Sequence, residues 1–433
     1  MDGVIRDAWW AYLEGRNTEA RAQARHVFDD ARRRGEAADV AAAEQLLGMV
    51  ARDELDLAPA RAHLTRAVDA WRGLRGEAHL STMHARAQSA YLRLEEGDKA
   101  GAVAEAESLR PLVASWAPPH PRDAVEVLVI LALANDTAGK VAESAEALRA
   151  IDADLAAQGA TPDLRGTVKL HLAGQLHAVG DRAGACEVMA ECVRLRVAAF
   201  GAGVPRVAFT RFSFVNLLMG EGRYEEALSE AEAGVEVIRK HHLERSARMG
   251  LDWLSVCLAR LEAGRADKAL EAVEHAEAID AKRHGALRPM TARALAAVGG
   301  EFHNRGAHGR AAPLLGRALG VLVALGEGEP QMVESYMGAL TATGRHRVAR
   351  EQAQAMLTKR GKVLSDGAVA SLTWAIAQSH LLDGRRAEAE PFVERAIAAA
   401  KLAYGPDSAI TREYANHLAM LRSGAIPRRK SLA

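Results

Sequence analysis

Apolar residues between positions 205 and 240 fall at helical intervals. Phe212, Val215, Leu218 and Met219 share one face of a helix that stops at Gly222. A second amphipathic run follows, with Ala227 five residues after the glycine and Gly234 seven further on. This grammar recurs at Gly15, Gly97, Gly139, Gly180, Gly264, Gly306, Gly344 and Gly384, with a small or apolar residue at both later offsets. From Gly97 onward the glycines follow one another at intervals of 38 to 42 residues. One degenerate unit, with Leu55 in the glycine slot followed by Ala60 and Ala67, fills the gap between the first two.

Each position has a physical reason. The glycine ends a helix where positive φ is needed. A polar or acidic residue opens the next helix, as in GRYEEAL and GRRAEAE. The alanine lies where two helix backbones approach closely, and the residue seven further is two turns along the same face. Pro121, Pro162, Pro205, Pro289, Pro330 and Pro406 fall just before the first helix of a unit. Pro59, Pro313 and Pro391 fall near the start of second helices, within or close to the first turn. The pattern predicts about ten helix–turn–helix units plus a final helix around 410–422, and no strands.

The Gly-x-Tyr-x-x-Ala grammar of GRYEEA resembles the tetratricopeptide repeat. The period of about 42 residues resembles the longer variety of kinesin light chains and many bacterial regulatory proteins. The stretch AEAEPFVERAIAAAKLAYGPDSAITREYANHLAML (387–421) carries the likeness best. The resemblance implies an all-α, right-handed α-solenoid, with first helices lining a concave face and second helices covering the convex one. It implies one continuous array over 1–424, with WAPPHPRDA (116–124) as its most loop-like insertion and a basic tail at 425–433.

Composition narrows the function. Lys plus Arg and Asp plus Glu number 56 each, so the basic footprint of a nucleic-acid binder is missing. Three cysteines, none in CxxC spacing, argue against a disulfide framework or a zinc site and for a cytoplasmic protein. No apolar run approaches a membrane span, and no basic leader opens the chain. Sixteen histidines include no HExxH, and no phosphate-binding glycine loop appears, so no metal or cofactor is expected. Repeats that begin within about 15 residues of Met1 and run almost to the end leave no room for an output domain. The spacing shows no titratable groups converging in one pocket, so no enzyme is expected.

The resemblance therefore implies a non-catalytic scaffold that holds a protein or peptide in its groove. A regulatory sensor whose superhelix changes on binding a signalling peptide or small ligand is one alternative, an enzyme on a helical-repeat scaffold is another, and copies could pair through terminal repeats. With the family's register, the groove residues are Phe209, Phe212, Asn216, Trp253, Arg260, His303, Asn304 and Trp374. Asparagine amides can hold a ligand backbone, and aromatic side chains supply anchoring pockets. At helical spacing, Phe and Trp also serve as core between repeats.

Overall fold

The computed structural model describes residues 3–113, 122–137, 139–325, 327, 329–360 and 364–424. Most of the WAPPHPRDA stretch (116–121), Pro121 included, and the tail 425–433 lie outside the described residues. Among the described residues there are 21 α-helices and no strand. They group as ten antiparallel pairs and a closing helix, as the glycine spacing predicts. The chain divides into two compact units, Met1–Ala259 and Arg260–Ala433.

Unit 1 contains α1 (Gly3–Leu13), α2 (Asn17–Arg34), α3 (Ala37–Asp53), α4 (Leu57–Arg75), α5 (Leu80–Glu95), α6 (Lys99–Val113), α7 (Arg122–Thr137), α8 (Val141–Ala157), α9 (Pro162–Ala178), α10 (Arg182–Phe200), α11 (Pro205–Gly220), α12 (Tyr224–Lys240) and most of α13 (Met249–Glu262). Unit 2 contains α14 (Ala266–His284), α15 (Pro289–Asn304), α16 (His308–Leu322), α17 (Pro330–Ala342), α18 (His346–Arg360), α19 (Asp366–Leu382), α20 (Arg386–Tyr404) and α21 (Ala409–Arg422). In each unit, first helices of successive pairs touch one another: α1, α3, α5, α7 and α9 in one, α15, α17 and α19 in the other. They form the inner face.

The local rules explain the helix breaks. All nine turn glycines have positive φ, between 69° and 91°. After Gly222 the Arg223 N–H reaches back to the Leu218 carbonyl (2.9 Å), closing the last turn. In the degenerate unit Leu55 itself adopts the left-handed conformation (φ 59°), which a branched side chain tolerates poorly. The alanines at 20, 60, 102, 185, 227, 269, 311, 349 and 389 are buried, as is Ser144 in the equivalent place. Larger side chains there would part the helices. Pro162, Pro205, Pro289 and Pro330 occupy the first position of α9, α11, α15 and α17. Pro313 and Pro391 differ from expectation: each is the sixth residue of its helix, past the first turn, where the missing N–H removes one helical bond.

Candidate functional site

The inner face of unit 2 is an open groove of about 970 Å³ on α17, α19 and α21, with His303 at the end of α15 and His308 beside it. Its centre is a ring pair: Trp374 stacks on Tyr414 with centroids 4.6 Å apart and planes 20° apart. The His417 ring lies 4.9 Å from Trp374. The hydroxyl of Ser371 donates to Glu334 Oε1 (2.8 Å), tying α19 to α17. At one end His303 and His308 meet Nδ1 to Nδ1 at 3.2 Å, so one ring donates to the other. Burial and then the neighbouring His308 hold His303 below the ordinary histidine range. His346 and Arg350 share Asp383, at 2.9 and 2.7 Å. Burial pushes the Tyr414 phenol upward, and the Glu334 and Glu413 carboxylates add to it.

The inner face of unit 1 is built differently. The tight turn after α1 lies against the start of α11, so the unit closes on itself. The Arg206 N–H donates to the Glu14 carbonyl (3.0 Å), and Arg206 Nη2 donates to the Tyr12 carbonyl (3.1 Å). Gly15 makes this possible, because its φ is 81° and a Cβ there would sit 2.8 Å from the Arg206 nitrogen. Inside, arginines cover ring faces: Arg206 over Tyr12 (5.4 Å), Arg52 over Tyr91 (5.5 Å) and Arg248 over Phe209 (4.2 Å). Asp53 pairs with Arg52 at 3.1 Å and with Arg248 at 3.7 Å. Burial alone would raise the Asp53 carboxyl, but Arg52, Arg248 and Arg206 together hold it below the ordinary range. His171 stacks on Tyr91, and burial lowers it to about 4, with Arg196 adding to the effect. Burial pushes Asp252 up to about 7 against the opposing pull of Arg248.

Contacts along both inner faces join residues about one repeat apart. Gln45 meets His84 (2.9 Å), His84 meets Glu126 (2.9 Å), Ser255 donates to Asn216 (2.5 Å), and Trp374 meets Tyr414.

The residues singled out from sequence separate into four groups. His303 and Trp374 come together in the unit 2 groove. Phe209 lies in the closed interior of unit 1, nearly buried beneath Arg248. The exposed Asn216 is tied by its amide oxygen to Ser255, and the exposed Asn304 ends α15 outside the groove lining. Phe212, Trp253 and Arg260 are corrections to the groove reading, because all three are buried. Phe212 packs over Gly234, where a Cβ would come within 2.6 Å of its ring. Trp253 Nε1 donates to the Glu244 carbonyl (2.8 Å), and Arg260 Nη1 donates to the Lys268 carbonyl (2.8 Å). Aromatic residues at helical spacing serve here as core. Tyr414 and Glu334 are groove residues that the position-by-position reading missed. The available signal was the period itself, since Tyr414 lies 40 residues, one repeat, beyond Trp374.

The crystal structure of the apo form of RapI superimposes with a TM-score of 0.50, covering 84% of this chain and 99% of that one at 10% identity. The fold is the tetratricopeptide-type helical repeat. The nearly identical tetratricopeptide-like repeats of a Podosopora anserina kinesin light chain cover 48% of this chain and 98% of their own, at 22% identity and a TM-score of 0.40. A signal-transduction ATPase from Pyrococcus horikoshii with a tetratricopeptide repeat sensor covers 78% of this chain and 52% of its own, at 13% identity and a TM-score of 0.46. No protein-family model matches the chain, and no curated protein matches it either. Among the described residues no helix is long and apolar enough to cross a membrane, and no group of three or more His, Cys, Asp or Glu side chains is placed to hold a metal ion.

Proposed function

We propose that this protein is a non-catalytic scaffold that holds an extended peptide or protein segment along the inner face of unit 2, in the cytoplasm and without a cofactor. The observation that carries this reading is the partly buried Trp374, stacked on the buried Tyr414, at the centre of an open groove of about 970 Å³. Stacked rings on packed helices are rigid anchors, so a ligand meets little ordering cost on the protein side. Glu413 lines the same groove, and its carboxylate can accept from a ligand's backbone N–H groups or polar side chains. The reading keeps 1–424 as one repeat array and 425–433 as its basic tail, and leaves pairing of copies through terminal repeats open. Nucleic acid and membranes are not its partners in this proposal.

Capture from the source lysate on immobilised protein tests it, with Trp374→Ala as the control. Partners lost with Trp374→Ala support the groove, whereas an unchanged set of partners rejects it. The closed interior of unit 1 favours a second reading, a sensor whose superhelix changes on binding. An unchanged radius of gyration after a captured partner is added counts against that reading.

A further inference from the structure

The aromatic residues of the inner faces are not all covered alike, although in unit 2 Arg310 does lie over Phe302 at 3.9 Å. In unit 1 Tyr12, Tyr91 and Phe209 each carry a guanidinium of the chain itself. In unit 2 no cation among the described residues covers Trp374 or Tyr414. The groove around them has no permanent positive charge in its lining, to which His303, His308 and His346 also belong. Its lining contains Glu334 and Glu413, and no lysine or arginine. Glu334 accepts from the neutral Ser371 hydroxyl, and among the described residues neither carboxylate has an ion-pair partner. Both carboxylates are exposed, so they meet a ligand as unpaired surface charge.

Both acids lie close to the ring pair. Ser371, which holds Glu334, is three residues before Trp374 on α19, a rise of about 4.5 Å along the helix axis. Glu413 adjoins Tyr414 in α21. The charge continues beyond the groove. An adjoining cleft of about 390 Å³ is lined by Glu327, Glu329 and Asp366. Glu329 and Asp366 stand at the N-terminal ends of α17 and α19, where the helix dipole favours them, and Glu327 pairs with Arg293 at 2.6 Å. Glu334 and Glu413 have no such local explanation. Against the Trp374 ring, His417 is nearly buried and its Nδ1 has no hydrogen-bond partner. The aromatic pair is therefore flanked by two exposed carboxylates without an ion-pair partner among the described residues and by one buried ring nitrogen without a hydrogen bond.

We infer that the unit 2 groove selects an extended peptide segment in which a lysine or arginine neighbours an aromatic or branched apolar side chain. The apolar side chain lies on Trp374, and the cation supplies from outside the charge that arginines supply inside unit 1. This inference rests on the proposed peptide-binding role of the groove and adds the chemistry of its ligand.

The test is a selection of displayed random nine-residue peptides on the whole immobilised chain, run in parallel on Glu334→Gln/Glu413→Gln and on Trp374→Ala. Far-UV circular dichroism checks that each variant is folded. Sequences enriched on the unchanged chain are expected to pair Lys or Arg with an aromatic or branched apolar residue. The double glutamine variant is expected to lose the cation from its enriched set while keeping the apolar residue. A winning peptide should bind it at least about tenfold more weakly in 50 mM salt, and a norleucine-for-lysine version should bind both proteins equally. Enrichment of neutral or acidic peptides that still depends on Trp374 overturns the cation selection and leaves the scaffold reading standing. Enrichment indifferent to Trp374→Ala, or none at all, overturns both. Spermidine that displaces a winning peptide from the unchanged chain as well as free lysine-containing peptide does points to a small polycation as the occupant and also overturns the inference.

Discussion

Unit 1 and unit 2 share one repeat grammar, yet one inner face is shut and the other open. In unit 1 the turn at Gly15 bonds to the start of α11, and arginines, carboxylates and rings pair with one another inside. In unit 2 three first helices and a helix end leave a groove centred on two stacked rings. The backbone rules at the turns are the same in both, since the turn glycines adopt positive φ throughout. What differs is the side chains that the first helices present inward. Arg52, Arg206 and Arg248 are long enough to reach rings and carboxylates across the interior of unit 1. Unit 2 presents short residues beside its rings, such as Gly338, Ser371 and Ala375. Groove occupancy is thus set by inner-face side chains and not by the repeat itself.

The titratable groups that meet in unit 1 had no trace in residue spacing. They come from α3, α5, α9, α11 and α13, and they pair with one another and with ring faces. The cluster holds the inner face together.

The largest expected effect tests where core ends and groove begins. Phe212→Ala should cost about 3–5 kcal/mol of stability, because the ring is fully buried over Gly234 and leaves a cavity when removed. Chemical denaturation measures this, and a loss under about 1 kcal/mol would return Phe212 to the groove wall. Gly15→Val attacks the closure of unit 1. The left-handed backbone and the 2.8 Å approach to Arg206 predict a loss of about 2–3 kcal/mol. Hydrogen exchange should report faster exchange at the Arg206 amide, and unchanged protection there would refute the clasp.

Asp252→Asn sharpens the comparison through pH. The folded carboxyl is raised to about 7 from its ordinary 3.8. The group's relative contribution to stability is therefore fully present below about pH 4 and lost as pH rises through 7. Asparagine cannot ionise, so the variant should match the unchanged chain near pH 4. By pH 8 it should be more stable by about 1 kcal/mol or more, after allowance for partial solvent screening. Melting curves across pH 4 to 8 check this, and a difference that shrinks as pH rises reverses the sign and rejects the burial account. The smallest effect belongs to Leu55→Gly, which removes left-handed strain from a branched residue. It should raise stability by at most about 1 kcal/mol, visible as a small increase in Tm.

The residues of the chain by themselves determined the secondary structure, the pairing of helices and the places where they touch. Gly222 and its equivalents, the buried alanines such as Ala227, and Pro205 or Pro289 at helix starts act through steric rules that reach only a few residues along the chain. Those rules are readable wherever the spacing is. Even the unit without a turn glycine keeps its turn, with Leu55 itself in the left-handed conformation. The inner faces were legible only in part. His303 and Trp374 line the unit 2 groove, while Phe212, Trp253 and Arg260 are buried, because a helix in a stack has neighbours on several sides and the period does not say which side a given side chain faces. Tertiary structure decided the rest. The clasp at Gly15 includes Arg206 bonding to the Tyr12 carbonyl, 194 positions away along the chain. Small rotations at each pair accumulate into that meeting, and no local rule fixes their sum.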